Sequence, residues 1–212
     1  MQILTVASQK GGTGKTTLAA HLSVEAERSK AGPVAIIDTD PQGSLAAWWN
    51  VRVASTPHFA AVTIAQLVDH LERLRQQSIK LVIIDTPPQT LDTIQAANVA
   101  AHFVLIPARP SPHDLRAVAA VVEMVEAAKK PFCFVINGAT PRSIIAQQAV
   151  GALAEHGKVA PVTIHHRVDF AASMTDGRTV AELAPASPSA KEITLLWKYV
   201  LAQLRKYALK EE

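Results

Sequence analysis

The chain has 212 residues, of which 49% are hydrophobic and 18% are charged, and its formal net charge is +3. This composition excludes a disordered polyelectrolyte and suits one α/β domain covering residues 1–212. Cys133 is the only cysteine in the sequence, which excludes an intramolecular disulfide and a thiolate metal cluster. The isoelectric point of about 9.1 is a mild basic bias that permits contact with nucleic acid without requiring it.

The N-terminus begins at once with the apolar run Ile3–Ala7 and lacks the basic and then apolar layout of a signal peptide. No apolar stretch of the sequence approaches the roughly 20 residues that a membrane-spanning helix needs. A soluble, cytoplasmic protein is therefore expected.

Short apolar runs alternate with longer helical patterns along the chain. The runs are almost continuously hydrophobic, which is typical of strands buried on both faces, and their alternation with helices indicates right-handed crossovers. We therefore predict an α/β fold, a mostly parallel twisted sheet with helices on both faces, that binds ligands beyond the carboxyl ends of its strands. The predicted strands are Ile3–Ser8, Val34–Asp38, Leu81–Asp85, Phe103–Pro107, Phe132–Asn137 and Ala160–Ile164, and the predicted helices are Lys15–Ser29, Gly43–Val51, Ile64–Gln77, Asp92–Ala100, His113–Lys129 and Arg142–His156.

A segment rich in proline, alanine and serine, residues 184–190, is interpreted as a hinge before a last helix, Lys191–Lys210. Apolar residues recur at helical spacing in that helix, which predicts that it packs on the sheet. Its basic residues leave a second interpretation open, a helix that lies in a membrane interface. The packed helix is favoured because the apolar stripe is needed to cover the sheet.

The strongest motif is the segment KGGTGKTT at residues 10–17, which follows the first predicted strand and opens a helix, as in a P-loop NTPase. Its glycines let backbone N–H groups point at phosphate oxygens, and the helix N-terminus adds partial positive charge. Lys15 is expected to reach the β- and γ-phosphates, and the Thr16 hydroxyl to coordinate Mg²⁺. The predicted nucleotide-binding residues of this loop are Gly11, Gly12, Thr13, Gly14, Lys15, Thr16 and Thr17.

Acidic residues end the second and third predicted strands. Asp38 and Asp40 flank a threonine in the segment DTDPQG, and Asp85 ends the apolar run LVIID, a Walker B pattern. Unpaired carboxylates at a strand end are costly to bury, whereas beside a magnesium nucleotide they have a function. We therefore expect Asp85 to face Mg²⁺ and Asp38 to support the metal through water.

The loop also departs from the general P-loop pattern, because Gln9 stands where the first glycine is expected and Lys10 adds a second lysine. This arrangement resembles the deviant Walker A motif of the ParA/MinD family of P-loop ATPases. The resemblance implies that Lys10 crosses a dimer interface to the nucleotide of the other subunit, and that Asp40, at the switch I position, positions the attacking water. A solvated loop lysine is the alternative for Lys10.

The resemblance covers nearly the whole chain. Residues 106–114, IPARPSPHD, are similar to a proline-bearing segment that serves dimer or higher-order contacts, and Asn137 matches the strand asparagine that contacts adenine. Residues 165–167 and 176–180 resemble a later block before the last helix. The chain matches best the short ParA proteins without an N-terminal helix-turn-helix extension, so sequence-specific operator binding is not expected.

The function implied by the resemblance is an ATPase, slow without a partner, whose ATP-bound homodimer binds DNA without sequence preference and releases it on hydrolysis. This activity would serve plasmid or chromosome partition on the nucleoid, with ATP and Mg²⁺ as cofactors and a ParB-like or cargo-adaptor protein as partner. The candidate DNA-binding residues are Arg142, Arg167, Arg178, Lys198, Arg205 and Lys206.

Three other functions stay open. The same motor can position a protein cargo, such as a microcompartment or a chemoreceptor cluster. A membrane-recruited regulator similar to MinD and a metabolic P-loop enzyme are the remaining alternatives. Lys10 and the DTDPQ block favour the partition branch over the metabolic enzymes, and a membrane partner is not expected because the last helix is predicted to pack on the sheet.

Overall fold

The computed structural model describes residues 1–88 and 90–208 of the chain. Strands and helices alternate along it, and a short 3₁₀ turn, Ile64–Gln66, precedes the third helix. The strands are β1 (Gln2–Val6), β2 (Val34–Asp38), β3 (His58–Ala61), β4 (Leu81–Asp85), β5 (Phe103–Ala108), β6 (Phe132–Ala139) and β7 (Ile164–His165). The helices are α1 (Lys15–Arg28), α2 (Ser44–Asn50), α3 (Leu67–Gln76), α4 (Leu91–Ala100), α5 (Pro112–Ala127), α6 (Ile144–Ala154), α7 (Val168–Met174), α8 (Val180–Leu183) and α9 (Pro188–Ala208).

The described strands form one sheet in the order β3-β2-β4-β1-β5-β6-β7, and every pairing between them is parallel. In the register of this sheet Asp38 of β2 lies beside Asp85 of β4, and Asp85 lies beside Val6 of β1. Because parallel strands end at the same edge, both carboxylates come next to the loop that follows β1. The predicted α/β fold with a parallel sheet is confirmed.

Helices cover both faces of the sheet, which explains the uninterrupted apolar runs of the strands. Side chains along β4 alternate between the two sides. Leu81 and Ile83 lie in a core shared with α1 and α9, whereas Val82 and Ile84 lie in a core shared with α3. A strand that is buried on both faces needs apolar residues at every position.

The edge strand β3 was not predicted. Its residues are at most partly buried, with His58 and Ala61 exposed, and its apolar run, residues 59–62, is short and rich in alanine, which is uncommon in strands. Pairing with β2 defines it as a strand. The short helices α7 and α8 were also missed, and the strand predicted at Ala160–Ile164 is wrong in its bounds, because β7 covers only Ile164–His165.

The last helix begins earlier than predicted. Residues 188–190, assigned to the hinge, belong to α9, because the Ser187 hydroxyl caps the Ala190 N–H at 3.1 Å and Pro188 suits a first helical position. The predicted end at Lys210 lies outside the described residues.

The apolar side of α9 is buried against the sheet, which confirms the packed-helix prediction. Trp197 is 1% exposed, and its indole N–H donates to the Ser29 hydroxyl of the α1 end at 2.7 Å. Among the described helices, none has the length and hydropathy that crossing a membrane requires. The other buried apolar residues of this helix are Ala190, Ile193, Leu196, Val200 and Leu204.

Candidate nucleotide-binding site

The phosphate-binding loop connects β1 to α1 at the centre of the sheet. Gly12 and Gly14 have φ values of 75° and 90°, a left-handed conformation that side chains rarely adopt. A side chain at position 14 would also collide with the amide of Asn137. The Asn137 amide donates to the Thr13 carbonyl at 2.6 Å, so β6 holds the loop from the side.

Lys15 lies folded into this loop. Its side chain is buried, and its Nζ donates to the Lys10 carbonyl at 3.2 Å. Burial lowers the pKa of the Lys15 ammonium, while the nearby carboxylates of Asp85 and Asp40 raise it. The ammonium therefore stands between the loop and the acidic strand ends, where a bound phosphate chain would meet it.

Asp85 and Thr16 form a pair that fits a divalent cation. The Thr16 hydroxyl donates to Asp85 Oδ2 at 2.6 Å, and Asp85 is 1% exposed. Its other oxygen, Oδ1, is buried without a hydrogen-bond partner among the described residues. Burial raises the pKa of Asp85 to about 7, and the bond from Thr16 opposes that rise. A buried carboxylate oxygen without a partner, beside a hydroxyl, is the kind of donor set that Mg²⁺ takes.

Asp38 organises the switch I turn. Its two oxygens accept the backbone N–H groups of Asp40 at 2.9 Å and Ala46 at 3.1 Å. Burial raises the pKa of Asp38, and these two bonds lower it. Asp38 thus stabilises the turn at Asp40 and the start of α2. Its predicted support of the metal through water stays a prediction.

Asp40 faces a cleft of about 640 Å³. Its Oδ1 accepts the Gln42 N–H at 2.9 Å, which fixes the turn without burying the carboxylate. The cleft is the largest of the cavities beside the P-loop and has room for a nucleotide. Its other lining residues are Gly11, Gly12, Gly14, Lys15, Thr16, Thr17, Gln42, Ser44, Pro88, Arg109 and Met174.

A second cavity of about 290 Å³ adjoins the cleft and shares Gly14 and Thr17 with it. We call it the base-side cavity, because Asn137, predicted to contact adenine, lines it. Its wall includes Phe170 of α7 and the loop of residues 165–167. The short α7 was not predicted, so sequence reasoning missed this wall.

Glu192 of α9 holds the loop of the base-side cavity. Its carboxylate accepts the backbone N–H of His165 at 3.0 Å and the Arg167 guanidinium at 2.8 Å, and it lies 2.8 Å from His165 Nδ1. These bonds lower the pKa of Glu192 against the effect of its burial, which raises it. The sequence carried no sign of this contact, because Glu192 lies 25 and more residues from its partners.

Lys10 forms an ion pair within its own chain. Its Nζ lies 2.6 Å from Asp114 Oδ2 at the start of α5, and Asp114 is 4% exposed. The Ser111 hydroxyl also donates to Asp114. Lys10 is therefore not a solvated loop lysine in this protomer, and the contact predicted with a partner's nucleotide requires this ion pair to open.

Comparison with known proteins agrees with this geometry. The sequence profile of the CobQ/CobB/MinD/ParA nucleotide-binding domain matches residues 4–180, well over half of the chain. The chain belongs to the ParA/MinD family. The match covers the P-loop, both acidic strand ends and the wall of the base-side cavity.

Two ParA/MinD relatives match most of the chain. Maintenance of carboxysome distribution protein A of Halothiobacillus neapolitanus is 30% identical over 201 residues, covering 89% of this chain and 91% of the relative. The chromosome-partitioning ATPase Soj of Thermus thermophilus is 29% identical over 240 residues, covering 95% and 96%. Both relatives are named for the distribution of a cellular object.

Solved ParA/MinD structures share the fold. The septum site-determining protein MinD of Pyrococcus horikoshii, complexed with Mg-ADP, has a TM-score of 0.78 at 18% identity and covers 95% of this chain and 97% of its own. An ATP complex of a McdA variant from Cyanothece has a TM-score of 0.76 at 20% identity and covers 95% and 96%. The ATP and Mg²⁺ predicted from the sequence agree with the ligands of these two structures.

The six candidate DNA-binding residues lie in four separate segments of the chain. Arg167 is paired with Glu192, and the exposed Arg178 is paired with Asp176 at 2.7 Å. Arg142 is exposed in the loop after β6, at the nucleotide edge. The other three candidates lie on one element, the helix α9, where they are exposed. These three residues are Lys198, Arg205 and Lys206.

Proposed function

We propose that this chain is an ATP-dependent dimerising ATPase that acts in plasmid or chromosome DNA partition. The observation that carries the proposal is Lys10, a P-loop lysine whose ammonium is held by Asp114, outside the cleft of its own protomer. In the same protomer Lys15 is the lysine that contacts the phosphates, so Lys10 can contact the nucleotide of a second copy of the chain. The membership of the ParA/MinD family and the chromosome-partitioning relative support this reading.

The site residues divide the work of phosphoryl transfer. The P-loop N–H groups and Lys15 hold the phosphates, while Thr16 and Asp85 hold the cation. When bound, Mg²⁺ neutralises phosphate charge. Asp40, the carboxylate that faces the cleft, orients the attacking water. Positioning and charge neutralisation carry such a reaction, because the protein has little covalent chemistry to perform.

Dimerisation makes the oligomeric state depend on the bound nucleotide. A Lys10 that leaves Asp114 and contacts the nucleotide of the second protomer adds positive charge to that site. ATP therefore stabilises the dimer by bridging it, and hydrolysis removes the bridge. In this scheme turnover is slow until a ParB-like protein stimulates it.

The exposed side of α9 is the strongest candidate for DNA contact. Lys191, Lys198 and Arg205 are exposed and lie seven residues apart, so they share one helix face, and Lys206 is exposed next to them. Lys191 is not among the DNA-binding residues predicted from the sequence. Cations along one helix give affinity for DNA phosphates that is independent of sequence and sensitive to salt. This affinity would place the dimer on the nucleoid.

The deciding experiment measures retention of a random-sequence DNA duplex by the protein at low salt, with ATP, with ADP and without nucleotide. Retention with ATP alone, lost in Lys15→Gln and weakened in Lys198→Glu, is expected. Lys129→Glu, a change of equal charge at an exposed lysine in the turn after α5, is the matched control. Nucleotide binding without DNA retention in any state would refute the DNA part of the proposal.

Positioning of a protein cargo is the second candidate, favoured by the 30% identity to the carboxysome distribution protein. The two functions share the ATPase cycle and differ in the partner that stimulates it. An Asp40→Ala variant, held in the ATP state, is the bait for isolating that partner from the source cell. Recovery of a DNA-bound protein supports partition, whereas recovery of a cargo-bound adaptor supports positioning.

A further inference from the structure

Arg109 follows β5 at the nucleotide edge of the sheet, where the two cavities of the site meet. Its side chain lines the cleft of about 640 Å³ and also the base-side cavity of about 290 Å³. Gly14 and Thr17 of the P-loop line both cavities as well. The side chain therefore lies at the passage from the phosphate loop to the base-side cavity.

Positive charge in the cleft of one protomer comes from two residues. Lys15 and Arg109 are the cations among the described residues that line the cleft, and Asp40 is the anion there. Lys15 already donates to the Lys10 carbonyl, and Lys10 itself is held by Asp114. Arg109 is exposed, and its guanidinium has no ion pair or hydrogen bond with the residues that the structure describes, although its backbone carbonyl accepts the Ser111 N–H at 2.7 Å. It is therefore the cation in the cleft with all its donors available.

The stem of Arg109 lies across the end of β6. A Cβ atom built on Gly138 would lie 3.8 Å from Arg109 Cγ and 3.6 Å from Arg109 Nε. Gly138 has a φ of 67°, a left-handed conformation that favours glycine. These separations are ordinary van der Waals contacts, so the arginine stem lies directly over Gly138, beside the junction of the two cavities.

We propose that Arg109 is a nucleotide-binding residue that donates hydrogen bonds to the phosphate chain of the nucleotide in its own protomer. The proposal rests on the nucleotide binding of the proposed function, and neither dimerisation nor DNA enters it. A guanidinium is planar, always charged and matched to phosphate oxygens, so it forms strong charge-assisted hydrogen bonds. Lys15 serves the terminal phosphates, and Arg109 serves the phosphate chain at its ribose end.

The test is a fluorescence titration with N-methylanthraniloyl (mant) ADP and Mg²⁺. Arg109→Ala should bind mant-ADP about ten-fold more weakly than the parent protein, and Arg109→Lys should restore part of the affinity because it keeps the charge. Arg116→Ala, which removes an exposed arginine from α5 outside both cavities, should bind like the parent. Mant-adenosine, which has no phosphate, should bind all four proteins equally.

Each contrary result has its own meaning. Parent-like binding of mant-ADP by Arg109→Ala overturns the proposal, and so does an equal loss for mant-adenosine, since that loss means a base contact or a structural role. If a loss appears only with mant-ATP, under which the dimer forms, and disappears in a Lys10→Ala background, Arg109 acts across the dimer, which overturns the assignment to its own protomer. If the parent itself fails to bind mant-ADP, the proposed nucleotide-dependent function fails, a result distinct from failure at Arg109 alone.

Discussion

Asp40 and Asp85 both follow or end strands at the nucleotide edge, but their surroundings give them different tasks. Asp85 is almost fully buried and receives the Thr16 hydroxyl, so its free oxygen suits a metal ion. Asp40 is only partly buried and faces the cleft, so its carboxylate is in contact with water. This difference in burial agrees with the proposed roles of Asp85 as a cation ligand and of Asp40 as the group that orients water.

Replacing Asp40 by alanine should stop hydrolysis and leave binding intact. The variant should bind mant-ATP and dimerise, yet release phosphate about a hundred-fold more slowly, because the water loses its orienting carboxylate. Phosphate release and sedimentation with ATP measure the two properties separately. Asp69→Ala, which removes an exposed carboxylate of α3, is the control, and normal turnover by Asp40→Ala would show that the assignment of Asp40 is wrong.

His21 predicts a pH dependence of stability. It is completely buried in α1, its Nδ1 lies 2.8 Å from the Thr17 carbonyl, and burial lowers its pKa from 6.5 to about 4. Between these values His21 binds more protons in the unfolded chain than in the folded chain, so its contribution to the free energy of unfolding should fall as the pH falls from about 6.5 towards 4. The effect of this one group is on the order of 3 kcal/mol.

Urea unfolding between pH 4.5 and 7 tests the contribution of His21. As the pH falls, the parent should lose stability relative to His21→Gln, because the opposite contribution of Asp85, whose pKa burial raises to about 7, is common to both proteins. At pH 7 the variant should be the less stable of the two. The exposed His156→Gln should follow the parent. Equal slopes for the parent and His21→Gln would contradict the prediction.

At the scale of elements, the P-loop depends on a strand that is far away in sequence. Asn137 of β6 donates to the Thr13 carbonyl across 124 residues and covers the Cα of Gly14. The loop is therefore shaped on one side by its own glycines and on the other by the end of β6. The left-handed backbone of Gly14 and the adjacent Asn137 amide together disfavour any side chain at position 14.

A Gly14→Ala substitution should disable the loop. The methyl group meets the Asn137 amide, and the left-handed backbone adds about 1–2 kcal/mol of strain. We expect mant-ATP affinity to fall ten-fold or more and the melting temperature to drop. Gly151→Ala in α6, where an added Cβ meets nothing within 4 Å, should bind normally and gain about 0.5–1 kcal/mol. Parent-like mant-ATP affinity of Gly14→Ala would refute this account.

At the scale of the whole molecule, the Lys10–Asp114 pair connects the P-loop to α5. It joins residues 104 positions apart, and the Asp114 carboxylate is buried while Lys10 is partly exposed. In the proposed dimer Lys10 must leave this partner for the nucleotide of the second protomer. The ion pair within the chain therefore competes with dimerisation.

Asp114→Asn should dimerise more readily than the parent protein. It removes the charge that holds Lys10 but retains the backbone N–H that donates to the Ser111 hydroxyl at the start of α5. Sedimentation velocity should show ATP-dependent dimers at several-fold lower protein concentration, with no dimer in ADP. The double variant Lys10→Ala/Asp114→Asn should stay monomeric, and an unchanged dimer constant in Asp114→Asn would mean that the ion pair does not compete.

The amino-acid sequence by itself determined the parts of this protein that short contiguous segments encode. Residues 10–17, 38–43 and 81–85 each carry a motif whose chemistry is complete within a few residues. The continuous apolar runs of the central strands indicate burial on both faces. Their order along the chain was enough to predict the parallel sheet, the nucleotide edge and the carboxylates of Asp38, Asp40 and Asp85 beside it.

Only the tertiary structure decided the contacts between distant segments. Lys10 with Asp114 and Asn137 with the P-loop each join residues more than 100 positions apart, and no local pattern marks such a pair. The edge strand β3 has only a short apolar run that is rich in alanine, so its pairing with β2 defines it. Arg109 gained its place at the nucleotide because β5 and β6 end together beside the P-loop. Folding brings these distant side chains together, and the fold depends on the free energy of packing the whole core. The sequence of a single segment therefore does not reveal such contacts.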